Sequence, residues 1–207
     1  MSKSTEQLSP RKARAMESIK RNRDVARAAY LVEQGFRTKI LHVETGMSES
    51  SLRALAHGIN ALDGKQVRLS SGTLPEPDSI LRTRSANAEG TIFMLIYLRI
   101  AGEEKASRNI DIDAVIKAHR IYLEHRSRFG IDCTDKPLDI NRAWVLARDY
   151  RVPHPQYPRS LELRRCIDCG APYLVVSRQR HQPQCPFCAI SPSGSPESGD
   201  TPQVKEG

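Results

Sequence analysis

Residues 166–188 read CIDCGAPYLVVSRQRHQPQCPFC. Four of the chain's five cysteines stand here: Cys166, Cys169, Cys185 and Cys188. Two residues between paired cysteines let both thiolates reach one ion while turn N–H groups point at sulfur. A loop of 15 residues then carries the second pair round to complete a tetrahedron. Gly170 directly follows the first pair, where a tight turn calls for positive φ. Tyr173–Val176 is expected as the outgoing strand of a short hairpin, with Pro186 stiffening the second turn. The spacing predicts one structural Zn2+, because four thiolates leave no coordination position for water or substrate. Such binding contributes roughly 10 kcal/mol or more, enough to order a segment whose own core is small. The competing readings are an iron–sulfur cluster and a dithiol redox pair. The latter needs a CxxC at a helix N-terminus after a strand, a setting neither pair has. His181 reads as a surface histidine, and Cys133 as a small, partly buried residue.

Charge surrounds this segment. Residues 157–190 carry Arg159, Arg164, Arg165, Arg178 and Arg180 against only Glu162 and Asp168. A phosphate backbone would suit them, as would plain solvation. The whole chain, 207 residues and 23.2 kDa, has a formal charge of +8 and a pI near 9.4. A polyanion is therefore a natural partner, nucleic acid ahead of membrane. Aromatic residues make up only 5%, which argues against base stacking on an aromatic sheet. No apolar run approaches the ~18 residues of a membrane span. The first twenty residues lack the apolar middle of a secretory signal, so a cytoplasmic location is expected, where paired thiols favour metal over disulfides.

Upstream the pattern is helical. Residues 1–10 read as a flexible start. A helix is expected over Arg11–Gln34, with Met16, Ile19, Val25, Ala28, Leu31 and Val32 recurring at helical spacing before Gly35. Phe36–Ile59 continues helical with a break at Gly46. Residues 70–78 form a connector in which Pro75 and Pro77 block regular structure. Ser85–Ala101 reads as a largely buried helix through Ile92, Phe93, Leu95, Ile96, Tyr97 and Ile100. The next helix has Asp111 or Asp113 as its cap, Val115, Ile116, His119, Tyr122 and Leu123 on its apolar face, and Gly130 at its end. The last, LDINRAWVLARDYR, has Asp139 or Asn141 as its cap and Trp144, Val145 and Ala147 inward. Pro153, Pro155 and Pro158 separate this body from the cysteines. The fold expected is mainly α: a helical body over 11–152, a four-cysteine zinc module over 153–190, and a disordered Ser/Pro/Gly tail over 191–207.

TKILHVETGMSESSLRALAHG (38–58) carries a second signal. With Gly46 as the turn, Leu41, Met47, Leu52 and Leu55 occupy the positions where a helix–turn–helix packs its two helices. Ser48 is a fair N-cap; Ser51, Arg53 and His57 would lie near the exposed face with Ser50. Short polar side chains and one arginine can touch phosphates and base edges. His42 is bulky where alanine is common, and Thr45 is polar where an apolar residue is usual. An ordinary corner in an all-α core fits the same pattern. Basic residues among the first 24 suit a phosphate-facing arm or solubility alike.

Five blocks together resemble the flagellar transcriptional activator subunit FlhC: ETGMSESSLRAL, GTLP at 72–75, IDAVIKAHRIYLEH at 112–125, INRAWVLARDY at 140–150, and CIDCG…CPFC. The resemblance implies an all-α body with a tetracysteine zinc site at positions 166, 169, 185 and 188. It also implies a hetero-oligomer of four FlhD and two FlhC subunits, which binds double-stranded promoter DNA and recruits RNA polymerase to flagellar class 2 operons. EPDSILRTR follows GTLP where the family usually has an aromatic-rich run, and the N-terminal segment is longer and more basic. Related activators on conjugative elements share the architecture and switch on transfer genes. A zinc-containing protein–protein adaptor without DNA contact is the alternative from another class. An enzyme is disfavoured: there is no P-loop, no Gly-rich phosphate cradle and no HExxH.

Overall fold

The longest helix, α1 (Pro10–Glu33), begins one residue earlier than its periodicity predicts. A computed structural model of the chain describes residues 10–63, 67–129, 136–151, 160–177 and 185–190. Only the second half of α1 packs: Ala28, Leu31 and Val32 are buried, whereas Met16 is 61% and Ile19 56% exposed, and Val25 is also at the surface. Its apolar periodicity thus runs past the point where a neighbour covers it. Gly35, at φ +83°, turns the chain into α2 (Thr38–Thr45). Gly46 follows at φ +69°, its N–H bonded to the His42 carbonyl at 2.9 Å, and α3 (Glu49–Asp63) leaves at an angle. The left-handed conformation is one that glycine adopts without the Cβ penalty of other residues.

In the connector, Pro75 lies in extended chain as expected, but Pro77 does not block structure. It opens the short helix α4 (Pro77–Ile80), whose first-turn N–H groups need no partner within the helix. Thr83 then caps α5 (Arg84–Ala101), its hydroxyl accepting from the Ala86 N–H. A short α6 (Glu103–Arg108), which the periodicity did not predict, precedes α7 (Ile112–His125). Asp111 is the α7 cap, accepting from Ala114 N–H at 3.0 Å; a 3-10 turn, Arg126–Phe129, follows. Asp139 caps α8 (Ile140–Tyr150) by accepting from both Asn141 and Arg142 N–H. Asn141, the other candidate cap, instead braces the α1–α2 turn, accepting from Arg37 N–H at 2.8 Å and donating to the Gly35 carbonyl at 3.1 Å.

The centre is α5, packed against α7, α8 and the later elements. Phe93, Tyr97, Val115, Tyr122, Trp144, Val145 and Ala147 are all buried there, as expected, and Ile92 and Ile116 nearly so. Leu95, Ile100 and Leu123 were expected inward and are at the surface. Apolar residues crowd α5 on more sides than its neighbours cover. Within the core Glu89 is buried, accepting from the Tyr122 hydroxyl at 2.8 Å and from Arg126 Nε at 2.6 Å. That pairing is what permits a carboxylate at this depth.

An antiparallel hairpin completes the fold: β1 (Leu161–Arg165) pairs with β2 (Pro172–Val176), Leu163 opposite Leu174. The strand Tyr173–Val176 was expected; β1 was not. Leu174 and Val176 join the main core, while Tyr173 and Val175, on the other face, pack on the cysteines. Alternation of side chains along a strand explains why YLVV is apolar throughout: each face has a cover. The segment ends in α9 (Pro186–Ile190), which Pro186 opens at the second cysteine turn. None of the described helices is long and apolar enough to cross a membrane. The expectations for residues 1–9 and 191–207, and for Gly130, Cys133, Pro153, Pro155, Pro158, Arg159, Arg178, Arg180 and His181, lie outside the described residues.

Candidate metal centre and helix–turn–helix

Two turns present the four cysteines. The first links β1 to β2: Cys166 N–H donates to the Ala171 carbonyl at 2.9 Å and Gly170 N–H to the Cys166 carbonyl at 3.0 Å, with Gly170 at φ +69°. The second places Cys185 just before α9 and Cys188 within it. The sulfurs converge, all lying within 4.8 Å of one another. Cys166 Sγ is 3.6 Å from Cys188 Sγ, and Cys169 Sγ 3.7 Å from Cys185 Sγ. A disulfide would bring two sulfurs to about 2 Å. Four sulfurs about 2.3 Å from a central zinc would stand about 3.8 Å apart, so the set fits a tetrahedral ion.

Electrostatics favour a cation there. Backbone N–H groups of Cys169 and Asp168 push the Cys166 thiol down to about 7. Cys188 is pushed up by the neighbouring sulfurs of Cys169 and Cys166, and Cys185 by burial. Thiols this close cannot all ionise without a positive charge between them; a divalent ion supplies it and converts four competing groups into four ligands. Cys166 and Cys185 are buried, Cys188 is partly so, and Cys169 is exposed. Cys-x2-Cys spacing was legible in the sequence; the rigid seat beneath it was not. Thr91 Oγ1 accepts from Leu174 N–H at 3.0 Å and Asn87 donates to the Leu174 carbonyl at 3.1 Å. Both side chains come from α5 and both bonds are buried. They satisfy the β2 backbone on its core side and hold the hairpin to the body.

The α2–α3 pair has the predicted internal packing: Leu41 and Leu52 are fully buried, and Met47 and Leu55 pack partly against the core. Ser48 caps α3, its hydroxyl accepting from Ser51 N–H at 3.2 Å. The two residues that departed from the usual pattern lock the turn. His42 Nδ1–H donates to the Met47 carbonyl at 2.7 Å; Thr45 donates to the Leu41 carbonyl at 2.6 Å and accepts from Met47 N–H at 3.2 Å. Trp144 of α8 anchors α2 by donating to Glu44 at 2.7 Å. Burial raises the Glu44 carboxyl's affinity for protons, and the indole N–H partly offsets this.

Ser48, the cap, and Ser50, Ser51, Arg53 and His57 on α3 are all exposed. Arg53 reaches back to Glu49 at 3.1 Å, an exposed pair worth at most about 1 kcal/mol. A shallow groove joins α1 to this turn, with Arg14, Lys20 and Arg21 on one side and Met47 and Ser51 on the other; the sequence had suggested the basic arm but not this juxtaposition. On the hairpin, Arg164 is engaged by Glu162, its Nε at 2.7 Å, and Arg165 donates to the Gly170 carbonyl at 3.3 Å.

A family model described as flagellar transcriptional activator (FlhC) matches residues 14–198, spanning every described helix but the first turn of α1, and all four cysteines. The chain belongs to the FlhC family. Flagellar transcriptional regulator FlhC of Nitrosomonas eutropha is 26% identical to it over 190 residues, 91% of each chain. FlhC of Verminephrobacter eiseniae is 28% identical over 180 residues, covering 86% of this chain and 87% of the relative. FlhC of Thauera aminoaromatica is 27% identical over 169 residues, covering 80% and 76% respectively. The FlhC family is one of transcriptional regulators of flagellar genes, not of enzymes.

Proposed function

We propose that the chain is the DNA-binding subunit of an activator that turns on flagellar class 2 operons together with an FlhD-like partner. Family membership across residues 14–198 carries this reading. The α2–α3 pair supports it with a polar, exposed leading face on a buried Leu41–Leu52 seam. In this reading Ser48, Ser51, Arg53 and His57 meet base edges and phosphates, and Arg164, Arg165, Arg178 and Arg180 meet phosphates near the hairpin. Arg53 and Arg164 exchange their carboxylates for phosphate, a low-cost exchange at exposed positions. The tetracysteine site holds one structural Zn2+ and takes no part in chemistry. Four FlhD-like and two FlhC-like subunits form the working assembly, which recruits RNA polymerase.

Mobility-shift titration of a flagellar promoter, with and without the co-expressed partner, tests the reading. Retardation is expected, steeply weakened by salt because phosphate contacts dominate. Arg53→Ala should weaken binding about tenfold. Absence of retardation under both conditions would overturn it.

A further inference from the structure

A second concavity, about 460 Å³ in volume, lies between α2, the start of α3, the end of α8, and Leu74 and Ile110. Its floor is apolar, built from Val43, Leu74, Ile110 and Trp144. Val43 is 65% exposed and so offers apolar surface to this concavity. Lys39, Arg148 and Arg151 line its rim together with Glu49, which already engages Arg53, and Glu44, bonded to Trp144, lies close enough to attract Arg151. Arg148 pairs with Asp149 at 2.7 Å and lies over the Trp144 ring, 5.6 Å from its centroid. Arg151 is different. Its Nε is buried and has no hydrogen-bond partner among the described residues, an unfavourable state for a donor.

An apolar floor, a cationic rim and an unsatisfied guanidinium donor specify one chemistry. We propose that this groove binds a small organic carboxylate with an apolar body, the hydrocarbon on Trp144 and Val43, the carboxylate against Arg151 and Lys39. Its volume lies in the ordinary range for small-ligand sites, about 300–1,000 Å³. Four apolar side chains are too few for the repeated anchors of a docked helix, and a phosphate backbone would leave the floor bare. The inference goes beyond the DNA reading, since occupancy is measured without DNA. The groove is bounded by both helices of the α2–α3 pair, by Val43 on α2 and Glu49 on α3.

Trp144 is the chain's sole tryptophan, so intrinsic fluorescence of the full chain reports the groove directly. Titration with 4-phenylbutyrate is expected to give a saturable change, with 4-phenyl-1-butanol and 4-phenylbutylamine binding about tenfold or more weakly for want of the charge-assisted bond. Lys39→Gln and Arg151→Gln should each weaken the carboxylate several-fold with far-UV circular dichroism unchanged. If Arg151→Gln fails to fold, the exposed Lys39 variant decides. No saturable change with the carboxylate, equal response to alcohol or amine, or undiminished binding in the folded variants would overturn the proposal.

Discussion

Single side chains set much of the local geometry, and two lend themselves to measurement. Asp139 accepts from two N–H groups at the start of α8; Asp139→Ala should cost about 1 kcal/mol, read as a lower urea midpoint at constant m. His119 donates Nε2–H to the Leu138 carbonyl at 2.8 Å, and burial lowers its proton affinity below the ordinary 6.5. As pH falls through 6.5 the unfolded chain takes up a proton that the folded chain refuses, so stability declines until the folded-state value is passed. His119→Gln keeps a donor and removes the titration. Its stability should therefore depend less on pH below about 6.5 than that of the parent, and identical pH profiles would contradict this.

Among the elements, legibility followed length. Helices α1, α3, α5, α7 and α8 each contain three or more turns, enough for period and cap to agree. The short α4, α6 and α9 contain too few residues to show a period. Strand β1, LELRR, offers two leucines among charges, a signal readable only beside its partner. Proline misled at Pro77, because the residue that cannot continue a helix is well suited to begin one. The cysteine spacing announced a metal site, yet the Asn87–Thr91 clamp was invisible: its partners are 87 and 83 residues away. Thr91→Val keeps the shape and removes the acceptor for Leu174 N–H. A loss of about 2 kcal/mol is expected, with hydrogen exchange speeding most in β1–β2. Gly90 makes the complementary point, since a Cβ there would sit 2.6 Å from Leu81 Cδ2 and 3.2 Å from Leu146 Cδ1. Gly90→Val should cost about 1–3 kcal/mol in thermal unfolding.

For the whole molecule, β2 has a different cover on each face, the four-cysteine cluster on one and α5 on the other. Cys169→Ser should abolish stoichiometric zinc, measured by metal analysis on reduced protein, and expose Tyr173 and Val175 to limited proteolysis. Full zinc occupancy in that variant would refute the tetrathiolate assignment. Helices α5, α7 and α8 retain their mutual packing, so far-UV circular dichroism should fall little. Chelation of the parent should reproduce the same cleavage pattern.

The long span between α5 and β2 also bears on how the polypeptide is made. Asn87 and Thr91 leave the ribosome more than eighty residues ahead of Leu174, so these inner polar groups of α5 stay wet until β2 arrives. Native contacts of such sequence separation are slow to close, and premature termination before β1 would release a chain with an uncovered α5 flank. Such truncated products should be insoluble or chaperone-bound, which gives the cell a simple way to discard an incomplete chain.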